Sequence, residues 1–201
     1  VVSRNKEEDF QWENLKGKKV IGGRPGGMPE MVFEYVLKKH GMNPQKDINL
    51  VQNIDFANTS GAFVSGEADY TVEFEPAATL IEEQGAGYVV ASVGKESGYV
   101  PYTSYSVKKS YLKTHKELLE AFTRAIEKGQ EDVNTHTPEQ IAKVIAPQFK
   151  DTDRKTLEKI VERYAEQDSY KENTKFEKES FTLIQDCLLY TSPSPRDPKT
   201  S

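Results

Sequence analysis

Between Lys18 and Gly98 the sequence alternates short apolar runs with helical periodicity, and that alternation constrains the fold more than any other feature. "KKVIGG" has the pattern of a strand. "MPEMVFEYVLKKHG" follows as a helix, with Pro29 at its first position and Gly41 as its stop. Met28, Val32, Tyr35 and Val36 fall on one stripe with Phe33 and Leu37 beside it, so this helix buries a broad face. "INLVQN" predicts a second strand, "DFANTSGAFVSGEA" a helix capped by Asp55, and "DYTVEFE" a third strand. "PAATLIEEQG" is a short helix closed by Gly85, and "GYVVASVG" a fourth strand. Strand and helix in strict succession imply a parallel α/β sheet with helices on its faces.

After Gly98 the pattern becomes helical. Leu118, Leu119, Phe122, Ala125, Ile126 and Val133 recur at helical spacing within "HKELLEAFTRAIEKGQEDVNTH". "TPEQIAKVIAPQF" opens with a Thr137 cap and Pro138. "DTDRKTLEKIVERYAEQDSY" turns Leu157, Ile160, Val161 and Tyr164 inward, and a last helix begins near Glu177. A helical section without its own sheet needs another surface to cover.

Composition removes several classes of partner. With 27 Lys plus Arg against 32 Asp plus Glu, a net charge of −5 provides no long-range attraction for nucleic acid or an anionic membrane. The longest apolar runs fall far short of the roughly 20 residues that span a bilayer. The opening "VVSRNKEEDF" carries neither an initiating methionine nor a basic region leading an apolar one, so a mature form or a fragment is expected. Cys187 is the only cysteine, which excludes an intramolecular disulfide and a thiolate metal cluster. The stretch "CLLYTSPSPRD", Cys187 to Asp197, resembles the conceptual translation of a transposon-end sequencing adapter. Residues 187–201 are therefore expected to be a non-native disordered tail, the alternative being a natural Ser/Pro-rich one.

The stretch with most chemical potential is "IGGRPGGMPEM", where a Gly-rich turn joins a strand end to a helix N-terminus. It is not a P-loop, because Met28 and Pro29 follow Gly27 where Lys and Ser or Thr are required. It is not a dinucleotide fingerprint either, since Arg24 occupies the middle glycine's place between Gly22 and Gly27. Pro29 removes a first-turn donor and Glu30 adds negative charge, whereas Arg24 favours an anion. The loop alone leaves open a polar-ligand site and a plain tight connection. Glu73 and Glu75 alternate along one strand face, where they could line a polar cleft, act as an acid–base pair or cap the helix at Pro76. His40, His115 and His136 each sit near a helix end, as surface histidines commonly do, and no shared metal site, nucleophile elbow or H-E-x-x-H motif is present.

Three segments, "LKGKKVIGGRPGGMPEMVFEYVLKKHGMNP", "GAFVSGEADYTVEFEPAATLIEEQG" and "YTSYSVKKSYLKTHKELLEAFTRAIEKGQ", together resemble the solute-binding proteins of ABC importers for nitrate, sulfonate, taurine and thiamine-precursor pyrimidines. The resemblance extends from about Trp12 to Asp186. It implies an α/β fold of the type II periplasmic-binding-protein kind, with the second lobe complete and the C-terminal helices of the first lobe following it. Residues 1–14 would be the incoming hinge segment, 15–98 the ligand-binding lobe, 99–107 the return crossing and 108–186 the helices of the first lobe. The early strands of that lobe, and a signal region, would precede this chain.

The resemblance further implies an extracytoplasmic monomer that needs no cofactor, captures a small-molecule ligand by hinge closure and presents it to an ABC permease in the membrane. Ligand contacts from this lobe would come from Arg24, Gly26, Gly27 and Met28, from Asp55 and Phe56, and from Glu73, Phe74 and Glu75. The family's tryptophan before Glu-Pro is Phe74 here, and its Gly-Ser at the helix start is Gly27-Met28. Loss of that hydroxyl, with Glu30, Glu73 and Glu75 nearby, favours an aminopyrimidine over a sulfonate, and Phe74 could stack on its ring. Alternatives are a pyrimidine-synthesis enzyme on the same fold, whose cysteine motif and histidine are missing here, and the sensing domain of a regulator.

Overall fold

A computed structural model describes residues 1–191, of which 1–189 are described with their side chains. The chain divides into two compact units. One comprises Val1–Val100 with residues 179–191, and the other Pro101–Lys178.

The first unit is built on a five-stranded mixed sheet in the order β3-β2-β4-β1-β5. The strands are β1 (Val2–Ser3), β2 (Lys19–Ile21), β3 (Asn49–Val51), β4 (Tyr70–Thr71) and β5 (Tyr88–Val89). β2 runs parallel to both β3 and β4, with Val20 opposite Leu50 on one side and Tyr70 on the other. β1 lies antiparallel between β4 and β5, Val2 pairing with Thr71 and Val89. The opening residues, expected to be an incoming crossing, thus supply an inner strand. Val1 and Val2 are both buried, which makes this segment part of the core.

Helix α1 (Met28–Lys39) forms as its periodicity predicts, burying Val32 and packing Phe33, Val36 and Leu37 in one cluster with Trp12, Leu15, Val20, Met42 and Ile48. It ends at Gly41, whose φ of 70° allows the Gly41 and Met42 amides to reach back to the Lys38 and Leu37 carbonyls at 2.9 and 3.0 Å. A second cluster unites Val2, Ile21, Phe63, Ala68, Ala78 and Ile81. Arg4 reinforces it: its guanidinium donates to the Ala68 and Phe63 carbonyls and lies 4.5 Å above the Phe63 ring.

Several elements are shorter than expected. The helix expected over 55–68 is a 3-10 turn at Phe56–Asn58 followed by α2 (Thr59–Val64), and the Asp55 side chain makes no capping bond. Gly61 and the β-branched Thr59 and Val64 make this a poor helical stretch. The third strand ends at Thr71, two residues before Glu73. The fourth predicted strand stops at Val89, where Ser92 caps a short helix α4 (Val93–Ser97) by accepting from the Lys95 amide. Helix α3 (Ala77–Glu83) forms between them as predicted.

In the second unit α5 (Lys109–Thr114) leads into α6 (Lys116–Thr135), and α7 (Pro138–Ile145) pairs with α8 (Arg154–Glu166). Thr137 and Gln140 form a reciprocal capping box at the start of α7. Asp153 accepts from the Lys155 and Thr156 amides at the start of α8. Ala142, Leu157 and Ile160 form the small core between these two helices.

The C-terminal expectation requires correction. Helix α9 (Lys178–Thr191) does not stop at Asp186 but continues through Cys187, whose side chain is buried. No Gly or Pro interrupts it, the next proline being Pro193. α9 also groups with the α/β unit rather than with 108–186. The remainder of the expected tail, 192–201, lies outside the described residues.

Candidate functional site

The carboxyl ends of β2, β3 and β4 lie side by side, and each releases one of the loops singled out in the sequence. This is where ligands bind in open α/β sheets, because the strands end there and adjoining helix N-termini supply free donors.

The loop after β2 is held from within. Gly26, at φ 68°, makes the turn, and its amide donates to Glu30 Oε2 at 3.1 Å. The Gly27 amide donates to the Arg24 carbonyl at 3.0 Å. Glu30 stands in the first turn of α1, is 4% exposed, and accepts at its other oxygen from Gln52 Nε2 at 2.7 Å. Gln52 follows β3, so one carboxylate joins two of the three loops. Burial, then the hydrogen bond and negative charge of Glu34 one turn along the helix, push the Glu30 carboxyl up to about 7. Glu34 is itself buried and accepts from Gln45 Nε2 at 3.1 Å, with Lys38 Nζ 3.8 Å away. Arg24 is exposed beyond Gly23, and Met28 is half-buried at the first position of α1.

The loops after β3 and β4 meet through an aromatic pair. Phe56 and Phe74 have ring centroids 5.5 Å apart at 60°, and Phe56 remains 53% exposed. Beside them Glu73 accepts from Thr71 Oγ1 at 2.8 Å, and its other oxygen lies 3.1 Å from Thr59 Oγ1. Burial raises its carboxyl above the ordinary range, and these hydroxyls oppose the rise. Each carboxylate oxygen retains a lone pair for a further donor. Glu75 turns to α3, where Oε2 accepts from the Thr79 amide at 3.0 Å. That is the geometry of a helix cap, and Glu73 and Glu75 are held by different partners. Asp55 is exposed.

Glu34, Gln52, Thr59 and Thr71 were not singled out from the sequence. The spacing of Glu30 and Glu34 at i and i+4, on a helix flanked by Phe33 and Leu37, was the available signal for a buried acidic pair. Nothing local marked Gln52 or the two threonines. Of the histidines, His40 ends α1, stacks on Trp12 and lies 3.0 Å from Glu96 Oε1, while His115 and His136 cap exposed helix ends. Among the described residues no group of three or more His, Cys, Asp or Glu is arranged to hold a metal ion.

A parallel strand set with an antiparallel strand beside it, and loops gathered at the carboxyl ends, is an architecture found in a lobe of the type II periplasmic-binding-protein fold. The fold matches the periplasmic aliphatic sulphonate binding protein SsuA from Escherichia coli with a TM-score of 0.66 and 15% identity, covering 94% of this chain and 62% of that one. It also matches the alkanesulfonate-binding protein SsuA from Xanthomonas axonopodis pv. citri bound to MOPS, at TM-score 0.61 and 17% identity over 80% of this chain and 53% of that one. Residues 1–141 match the NMT1/THI5-like family, and the chain belongs to it. YtlA of Bacillus subtilis (strain 168), a protein named for binding, is 45% identical over 196 residues, which are 98% of this chain and 59% of YtlA. The chain thus spans about three-fifths of the length of that relative.

Proposed function

We propose that this protein is the solute-binding component of an ABC importer, working outside the cytoplasm as a monomer and capturing a small polar organic ligand. The carrying observation is the cluster at the carboxyl ends of β3 and β4, where a half-exposed Phe56, its partner Phe74 and the Glu73 carboxylate lie together. An aromatic face beside an acceptor-only carboxylate suits a flat ring that bears N–H donors. Within this family that chemistry points to an aminopyrimidine of the thiamine-precursor kind. Phe74 would stack on the ring with Phe56 at its edge, Glu73 would accept from its amino group, and the Gly26-Gly27 turn with Arg24 and Met28 would close one side. Asp55 and Glu75 would border the site and add to its negative potential.

Transport would follow from hinge closure. A ligand touching both lobes favours the closed form, and the permease in the membrane would distinguish that form from the open one. No bond is made or broken in this role, and the relatives in hand are named for binding. No helix among the described residues is long and apolar enough to cross a membrane. The sulfonate reading has one specific point in its favour, the likeness of fold to two SsuA proteins.

Thermal-shift and calorimetric titrations test both readings, on this chain and on the chain extended to the length of its relatives. The panel is a hydroxymethyl-aminopyrimidine, taurine, an alkanesulfonate and nitrate. Saturating aminopyrimidine at about 100 times its Kd is expected to stabilise the protein by about 2.7 kcal/mol. A shift with the alkanesulfonate alone would overturn the pyrimidine assignment, and turnover of any ligand would overturn the binding role.

A further inference from the structure

The turn between β2 and α1 has the ordinary form of an anion site, with loop amides leading into a helix N-terminus. Here the place is taken by the chain itself. The Gly26 amide and the Gln52 side-chain amide both donate to Glu30, which is almost completely buried, and the Gly27 amide is spent on the Arg24 carbonyl. A free oxyanion arriving at the Gly26 and Gln52 amides would meet a resident carboxylate that already engages both donors.

We propose that Glu30 is a specificity-determining residue, acting as a built-in anion on the Gly26 amide so that this lobe rejects sulfonates and other oxyanions and retains ligands bearing N–H donors. This rests on the ligand-binding role of the loop proposed above. The device is proton-linked, because the carboxyl is held near neutrality by burial and by Glu34. The groups facing it are Glu34 and, through Glu34, Lys38 along α1; Gln45 on Glu34; Gln52 from the end of β3; and Arg24 in the turn. Protonation removes the resident negative charge, which lifts the exclusion.

Amide chemical shifts of Gly26 and Gly27 in the full chain, followed during titration with methanesulfonate, provide the test. Methanesulfonate stays anionic throughout, so any pH dependence belongs to the protein. At about pH 8 the wild type is expected to show no saturable shift, and at about pH 5.5, below the value to which Glu30 is raised, saturation is expected. Glu30→Gln, which keeps the shape and one acceptor oxygen for the Gly26 amide, with its new NH2 matched by a flip of the Gln52 amide, removes the charge and is expected to bind at least about tenfold more tightly than wild type at the higher pH. Its binding should vary little between the two pH values. Equal affinities of wild type and Glu30→Gln at about pH 8, or no response from a folded Glu30→Gln, overturn the proposal. If that variant does not fold, the wild type decides: no gain in methanesulfonate binding on acidification overturns it. Failure of the aminopyrimidine reading registers separately, as ring signals of Phe56 and Phe74 that do not move when the pyrimidine is added.

Discussion

Helices α1 and α6 each carry an apolar stripe, and they meet opposite ends. α1 buries Val32, Phe33, Val36 and Leu37 against its sheet. α6, at 20 residues the longest helix among those described, buries none of its residues. Leu118 is 57% and Phe122 43% exposed, with Tyr105 set edge-on to Phe122 at 4.9 Å. Periodicity reports which face of a helix is apolar, and only the rest of the fold determines whether that face is covered. In the α/β unit the stripe of α1 meets partners of its own, among them Trp12, Leu15, Met42 and Ile48. Among the described residues, the helical unit has a cluster of buried side chains between α7 and α8.

The largest effect that would sharpen this contrast comes from truncating matched aromatics. Phe33→Ala, at a fully buried position, is expected to cost about 3–5 kcal/mol, because the ring's burial is lost and a cavity remains. Phe122→Ala is expected to stay within about 1 kcal/mol. Chemical denaturation of both variants measures this, and equal losses would mean that α6 is covered as fully as α1.

The next effect separates the units by pH. Glu30 is raised from 4.5 to about 7 in the folded state, so its contribution is fully present below about pH 4.5 and is lost as pH rises through 7. On the order of 2 kcal/mol should disappear across that window. Asp153, in the helical unit, is lowered instead, chiefly by the Thr156 hydroxyl and amide. Its contribution is present at neutral pH and fades as pH falls below the ordinary aspartate range. Denaturation midpoints at a series of pH values should therefore show a decline between pH 4.5 and 7 that Glu30→Gln diminishes, leaving the part that belongs to the raised Glu73 carboxyl, and that Asp153→Asn leaves in place. A decline undiminished in Glu30→Gln would assign it to other groups.

What the sequence disclosed follows the same division between local and distant causes. The α1 boundaries, the Thr137 capping box and the inward face of α8 were legible, since each depends on residues within one or two turns. The order of the sheet was not. β1 is two residues long, and only its pairing with β4 and β5 makes it an inner strand. In the site, Gly26 was legible as a loop residue at a strand end, while Phe56, expected in a helix, and Glu73 and Phe74, expected in a strand, were candidates only through the resemblance; the structure associates Phe56 with Phe74 and Glu73 with Thr59. Glu30 was legible as a charge opposing an anion, but not as the buried group that ties the turn to Gln52. Hydrogen bonds across 22 residues leave no periodic trace.

Within the helical unit the local devices become testable one at a time. Thr137→Ala removes the side chain that accepts from the Gln140 amide and leaves the first turn of α7 uncapped. A loss of about 1 kcal/mol is expected, read as a lower denaturation midpoint with an unchanged slope. No loss would place the start of α7 under the control of its packing on α8 rather than of its cap.

The smallest effect has the opposite sign. Gly129 lies inside α6, is exposed, and would place an added Cβ with no atom within 4 Å. Its φ falls outside the left-handed region, so alanine fits the backbone it already adopts. Gly129→Ala should then stabilise the protein by about 0.5–1 kcal/mol, by reducing the freedom of the unfolded chain and by raising helix propensity. The gain depends on α6 being open at this position. If the midpoint falls instead, another surface packs closely over Gly129 in solution, and the exposed helix would be as well partnered as α1.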